Sequence, residues 1–215
     1  LSILLVDSNR PIFEDELLPA GNLREPLSAK ARASIVLVTK CDPQMRPIDF
    51  RIYANGLDLF PYQSLYFTSF DYGDLKPLFP EFQSEEIMLN DLRKKHVVLV
   101  TGIASPKPLI DKLERKTYNL YPILFDDHHQ FTIKDIETIN KRLKNIDDDD
   151  IVIVTTEKDA VRFKTLKTLD DYIKSILYYI PVEEKFIKKS ERESFNKKIY
   201  NHVRSYQANK QLSKK

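Results

Sequence analysis

Glycine, cysteine and histidine are scarce in this 215-residue chain, and each scarcity removes a class of function. The four glycines are Gly21, Gly56, Gly73 and Gly102, and none stands in a G-x-x-x-x-G-K-[ST] pattern. The chain therefore carries no Walker A loop, whose glycine-rich backbone amides cradle nucleotide phosphates. A single cysteine, Cys41, excludes a disulfide framework within the chain and suits a reducing compartment. Of the four histidines, His96 and His202 stand alone, so no second His/Cys cluster supports a structural zinc site. No apolar run approaches the roughly 20 residues that span a bilayer.

What is present suits a globular protein of one domain or one and a half: 42% hydrophobic and 31% charged residues, enough for a sizeable core. The net charge of +2 says little, but ten Lys/Arg against Glu191 and Glu193 mark the stretch from Lys185 to Lys215. That stretch reads as a basic terminal helix, either a solvated face or one drawn to an anionic membrane surface. No nucleic-acid motif accompanies it, so nucleic acid is not an expected partner.

Compact apolar runs predict strands at 2–7, 34–40, 64–70, 97–101, 118–124, 151–155 and 176–180. The first, Ser2-Ile3-Leu4-Leu5-Val6-Asp7, reads as a buried parallel strand. A chain opening inside such a strand reads as a fragment whose neighbouring strands lie upstream. Between the runs, helices are expected over 45–56 (weakened by Pro47), after Pro106 with Leu109, Ile110 and Leu113 inward, after the cap Thr132, and through Ala160, Val161 and Phe163. A last helix over 190–207 sets Phe195, Ile199, Val203 and Tyr206 on one face, for packing on the core. Asp147–Asp150 reads as a solvated loop.

Strands alternating with helices predict an α/β protein with mainly parallel sheets and flanking helices. Residues 1–60 form one piece, 61–94 a hinge with strand-like segments, 95–182 a smaller Rossmann-like α/β domain, and 183–215 the basic helix. In such sheets functional groups gather beyond the carboxyl ends of the strands. Three polar clusters lie there: 102–106, 126–129 and 155–159.

The middle cluster sits in Phe125-Asp126-Asp127-His128-His129-Gln130-Phe131-Thr132. Adjacent residues of an extended chain point to opposite faces, so Asp127 and His128 converge on one metal ion only through a turn. The letters Asp-His-His resemble the DHH-type, manganese-dependent phosphoesterases, whose further aspartate motifs are not found here. An imidazole at neutral pH can instead exchange a proton with a hydroxyl while a carboxylate orients it. On the octapeptide alone, a polar loop remains open as well.

Four blocks, LLPAGNLREPL (17–27) with the strand SIVLVTK (34–40), GIASP (102–106), FDDHH (125–129) and TTEKDAVRF (155–163), resemble the tetraacyldisaccharide 4'-kinases of lipid A biosynthesis. They stand in that family's order and cover most of residues 1–165, as does the opening ILLVDSNR, most similar to Bacteroides-like members. The resemblance implies a P-loop NTPase-like kinase core. It also implies transfer of the γ-phosphoryl of ATP, with Mg²⁺, to the 4'-hydroxyl of tetraacyldisaccharide 1-phosphate at the cytoplasmic face of the inner membrane. The chain departs from the family in lacking Walker A and the aspartate pair expected before the first strand. Both are expected upstream, and the chain alone is expected to be inactive. The competing class is a non-catalytic α/β binding module.

By the same resemblance His128 faces the nucleotide as half of a pair with an upstream aspartate, and Asp127 shapes its loop. Arg24 and Glu25 approach the phosphates, Glu25 as a Mg²⁺ ligand, and Gly21 supplies an unusual backbone angle in the LLPAG turn. Glu157, Lys158 and Asp159 form a supporting or substrate-proximal cluster at a helix N-terminus.

Overall fold

A computed structural model describes residues 1–148, 150–166 and 169–212, without the side chains of 207–212. The chain begins with β1 (Ile3–Asp7), β2 (Ile35–Thr39), α1 (Pro47–Leu57) and β3 (Ser64–Tyr72), and short 3-10 turns lie at Leu27–Arg32 and Leu89–Lys94. Next come β4 (Lys76–Pro77), β5 (His96–Thr101), α2 (Lys107–Glu114), β6 (Asn119–Leu124), α3 (Ile133–Lys144) and β7 (Ile151–Thr156). The chain continues through α4 (Glu157–Lys164), α5 (Asp171–Ile176), β8 (Leu177–Ile180), β9 (Val182–Phe186) and α6 (Lys189–Leu212). It divides into two compact units, Leu1–Asp71 with Glu184–Lys215, and Tyr72–Glu183. The second unit is thus inserted into the first. The fold is α/β, with mainly parallel sheets and flanking helices.

In the first unit the sheet runs β1-β2-β3-β9, with β1, β2 and β3 parallel. Val36, Val38 and Phe67 pack with Leu57 of α1 in its core. Pro47 does not weaken α1: it occupies the first turn, where a missing N–H costs nothing. β1 pairs with β2, and among the described residues its Val6 is buried while Ile3 and Leu5 are exposed, Leu5 at 63%. β9 was not anticipated: its VEEKF run is charged and almost wholly exposed, which suits a sheet edge. The terminal helix is longer than expected, and only part of its apolar face packs. Phe195 meets Tyr66 and Phe186 at 5.5 and 5.2 Å, whereas Val203 and Tyr206 are exposed.

The second unit holds the sheet β4-β8-β7-β5-β6, antiparallel only at the edge strand β4. Alternation along β5 and β7 sends Val98, Val100, Ile151 and Ile153 to a core with α3, α4 and α5. Val97, Leu99, Val152 and Val154 go to the opposite core with Leu109 and Leu113 of α2. Both sheet faces are covered, which is why these strands read as continuous apolar runs. The segment 61–94 holds the crossing between the units, at Asp71 and Tyr72: β3 belongs to the first sheet, while Leu75, Leu78, Leu89 and Leu92 are buried in the second unit's cores. Within 147–150, Asp148 meets His96 at 3.3 Å and Asp150 meets Lys95 at 2.5 Å, while Asp149 lies outside the described residues.

Strand order positions the site. After β5 the chain moves to β6 on one side, then returns past β5 to β7 on the other. The helix after β5 covers one face and those after β6 and β7 cover the other. The loops leaving β5 and β7 therefore part at the carboxyl ends of neighbouring strands, the place where open α/β sheets form a crevice. Among the described residues, no helix is long and apolar enough to cross a membrane.

Candidate functional site

The three polar clusters of the second unit meet at Gly102, just beyond β5. A Cβ at Gly102 would stand 3.0 Å from both the Asp126 carbonyl oxygen and His129 Cβ, so the FDDHH loop closes directly over this backbone. The His128 amide donates to the Gly102 carbonyl at 3.1 Å, and the Gly102 amide donates to Asp159 Oδ2 at 3.0 Å. Gly102 thus joins the 126–129 and 155–159 clusters through its own two backbone groups.

Asp159 is the buried hub, with 0% of its side chain exposed. Its Oδ2 accepts from the hydroxyls of Thr101 (2.8 Å) and Thr156 (2.9 Å) as well as from Gly102, and its Oδ1 accepts from Arg162 Nη1 at 2.6 Å. Thr156 also caps α4 by accepting from the Asp159 amide at 3.2 Å. A buried carboxylate is tolerated only with such a full set of donors. Asp159 therefore supports the loop from below. Glu157 and Lys158, in the first turn of the same helix, are exposed. Beside them, Thr155 is fully buried, and among the described residues its hydroxyl has no hydrogen-bond partner.

Within FDDHHQFT the two histidines are built for different work. Phe125 and Phe131 anchor the segment, Phe131 stacking on the core Phe163 at 4.1 Å. His129 stacks on Phe125 at 4.5 Å and sets Nε2 2.9 Å from Asp135 Oδ2, which also accepts from the Thr132 amide and hydroxyl. Burial pushes the Asp135 carboxyl up, but the bonds from His129 and Thr132 outweigh it and hold the group below its ordinary 3.8. His129 is thereby tied to Asp135, the carboxylate of the α3 capping box. His128 has a left-handed backbone, φ 62°, and its side chain is 77% exposed. Non-glycine residues are held there at a cost and cluster at functional sites. Its Nδ1 lies 3.3 Å from Arg162 Nη2 and its Nε2 lies 3.6 Å from Asp127 Oδ2. Asp127, His128 and His129 do not converge, and no group of three or more metal-ligating side chains occurs among the described residues.

In the first unit, Asp15 organises the LLPAGNLRE loop. Its Oδ1 accepts from the amides of Asn22 (3.0 Å) and Glu16 (2.9 Å), and its Oδ2 from the Arg10 guanidinium at 2.9 Å. The Asn22 bond leads the group of contacts that holds the carboxyl below its ordinary value. The loop carries a cis Leu18–Pro19 bond, and Gly21 donates to the Leu17 carbonyl at 3.0 Å. The expected unusual angle at Gly21 is corrected, since no glycine has positive φ. Glycine is needed for room: a Cβ would lie 2.3 Å from the Glu16 carbonyl oxygen. Arg24 and Glu25 are both exposed, line an open cavity of about 590 Å³ with Arg32 and Lys30, and Glu25 is ion-paired with Arg32. At the carboxyl ends of β1 and β2, Asp7 pairs with Lys40 at 2.5 Å. Burial pushes the Asp7 carboxyl up, but Lys40 and Asn9 hold it below its ordinary value.

Sequence reading missed Arg162, Asp135, Thr101 and Asp15. The first had a signal, because Arg162 stands three residues after Asp159 on one helix face. So did the second, because Thr132-x-x-Asp135 has the spacing of a capping box.

Residues 1–204 match the tetraacyldisaccharide-1-P 4'-kinase family. The chain is 42% identical over 214 residues to a tetraacyldisaccharide 4'-kinase of Phocaeicola vulgatus, covering 99% of this chain and 58% of that protein. With the kinase of Bacteroides thetaiotaomicron it shares 42% over 221 residues, all of this chain and 58% of the relative. The chain thus spans a little over half the length of these curated relatives. Among solved structures it resembles LpxK from Aquifex aeolicus, crystallised as an "apo" form in complex with ATP, with a TM-score of 0.56 and 20% identity. That likeness covers 94% of this chain and 52% of the Aquifex chain, and it establishes a shared fold.

Proposed function

Because the chain belongs to the tetraacyldisaccharide-1-P 4'-kinase family, we propose that it is the part of such a kinase that carries the acid–base loop. The complete protein transfers the γ-phosphoryl group of ATP to the 4'-hydroxyl of tetraacyldisaccharide 1-phosphate in lipid A biosynthesis. The observation that carries this reading is the convergence on Gly102. Three strand-end segments close there and leave one histidine, His128, exposed in a left-handed backbone above a buried carboxylate.

Phosphoryl transfer asks the protein mainly to position groups and stabilise charge, with one group managing the proton of the attacking hydroxyl. His128 takes that part together with an aspartate supplied from outside this chain, and Asp127 shapes the loop beside its ring. Asp159 supports from beneath. Glu157 and Lys158, exposed at the positive end of α4, are placed for substrate or phosphate contact. Arg24 offers a guanidinium fork for phosphate oxygens, on a loop that Gly21 allows to close.

Mg²⁺, when bound, would neutralise charge on the phosphoryl group, held largely by phosphate oxygens and water. Among the described residues lining the cavity with Arg24, Glu25 supplies the carboxylate, and it fits that part only after leaving Arg32. The protein acts peripherally at the cytoplasmic face of the inner membrane, where basic α6 faces anionic lipid.

The test is transfer of labelled γ-phosphate to the lipid disaccharide. A complete protein, carrying a Walker A segment ahead of Leu1, is expected to turn over, and the isolated 215-residue chain is not. In the complete protein His128→Ala is expected to lower kcat roughly a hundredfold or more, and His129→Ala far less. Turnover by the isolated chain, or equal effects at the two histidines, would overturn the assignment.

A further inference from the structure

We infer that Arg162 is a positioning residue for His128. Its guanidinium, anchored on Asp159, fixes the imidazole with its proton on Nε2, so that His128 presents an N–H to an anionic oxygen rather than a lone pair to the hydroxyl. The inference rests on the reading of His128 as the site histidine and specifies what that histidine can do.

A guanidinium carries five N–H groups in a rigid fork and accepts nothing. One tine of Arg162, Nη1, donates to Asp159 Oδ1 at 2.6 Å, and the other, Nη2, stands 3.3 Å from His128 Nδ1. A donor-only group can satisfy only a lone pair, so Nδ1 is the accepting nitrogen and the neutral ring carries its hydrogen on Nε2. Arg162 is itself well buried, with 16% of its side chain exposed, and Asp159 is pinned by Thr101, Gly102 and Thr156. The fork has little freedom to choose another partner.

The backbone completes the placement. The His128 amide is bound to the Gly102 carbonyl, and the left-handed φ sets the direction of Cβ. Ring and backbone are therefore both referred to the same strand end, through Asp159 on one side and Gly102 on the other. The exposed edge of the ring is Nε2, with the Asp127 carboxylate 3.6 Å away. In phosphoryl transfer the hydroxyl's proton then passes to a carboxylate, while the imidazole keeps its own proton. It aligns that carboxylate, or a phosphoryl oxygen, by donating one hydrogen bond.

The test is long-range ¹H–¹⁵N spectroscopy of the imidazole rings in the 215-residue chain, at about pH 8, above the ordinary imidazole range. H128Q identifies the His128 signals. In the wild-type chain Nε2 is expected to be protonated and Nδ1 unprotonated, with the Nδ1 signal displaced from that of a free accepting nitrogen towards that of a hydrogen-bonded one. Protonated Nδ1, or an undisplaced Nδ1 signal, would overturn the inference. R162K supplies a point charge for Asp159 but no fork, and R162M supplies neither. Either variant that keeps the wild-type fold is expected to lose the displacement and gain a Nδ1–H population; an unchanged spectrum would also overturn it. In the complete kinase R162K is expected to lower kcat roughly tenfold or more with little change in KM. The spectroscopic result in the chain, together with a complete protein that transfers no phosphoryl group, would leave this inference standing and remove only the kinase reading.

Discussion

The loop that carries His128 and the loop that carries Arg24 are built in opposite ways. The first is braced from beneath by a fully buried carboxylate that draws donors from β5, its following turn and α4. The second is braced within itself, by Asp15 binding amides and a guanidinium no more than seven residues away. In one case the network reaches an exposed side chain, His128, through Arg162. In the other it shapes the backbone and leaves Arg24 and Glu25 on the surface. A buried network presets a side chain before any ligand arrives, whereas a local one presets only the path of the chain.

Substitutions at the two anchors should separate these designs. The largest effect is expected at the hub. Asp159→Ala strands the Arg162 guanidinium and unpairs two threonines, and should cost about 3–5 kcal/mol, read as the urea midpoint of the chain. A loss below about 1 kcal/mol would mean that the hub is not the brace described. Gly21→Ala should come next, at about 1–3 kcal/mol, because its Cβ meets backbone rather than a yielding side chain. If it is silent, the loop is softer than its bonds suggest.

His129→Ala removes a ring stack and a bond to Asp135, and should cost about 1–2 kcal/mol. Its pH dependence gives a sharper reading. The folded Asp135 carboxyl lies below its ordinary 3.8, so its contribution is present above that value and lost as pH falls through the lower, folded one. The gap between wild type and His129→Ala should therefore narrow below about pH 4. A gap that widens there would reverse the sign of the coupling. The smallest effect is expected at Arg32→Ala, because its pair with Glu25 is exposed on both sides. An unmoved midpoint would confirm that the second loop's charges are not structural.

How much of this could be read from the residues alone follows the same division. Continuous apolar runs mark β5, β6, β7 and β8, because both faces of their sheet are covered. The three strand-end clusters were visible for the same reason. The sheet order that gathers them at Gly102 was not, because spacing along a chain does not say on which side of β5 the next strand will lie. β9 escaped notice because an edge strand need not be apolar. The requirement for glycine at position 21 is steric and not legible in the sequence: a steric gap depends on what lies opposite, and Glu16 comes opposite only once the loop has closed. Nothing in the TTEKDAVRF block points to a role for Arg162 towards His128, since that partner lies on another segment.

The insertion of the second unit into the first bears on how the protein is made. As the chain emerges, the first sheet has β1, β2 and β3 but lacks its last strand, and α6 does not yet exist. Both arrive only after the whole second unit has been synthesised. The ends of that unit are tied together by the Gly73 amide donating to the Pro181 carbonyl at 3.0 Å. Folding of the inserted unit thus closes the loop that would otherwise separate β3 from β9, and so removes most of the entropic cost of their pairing. Pairing of β3 with β9 is therefore favoured once the inserted unit has folded.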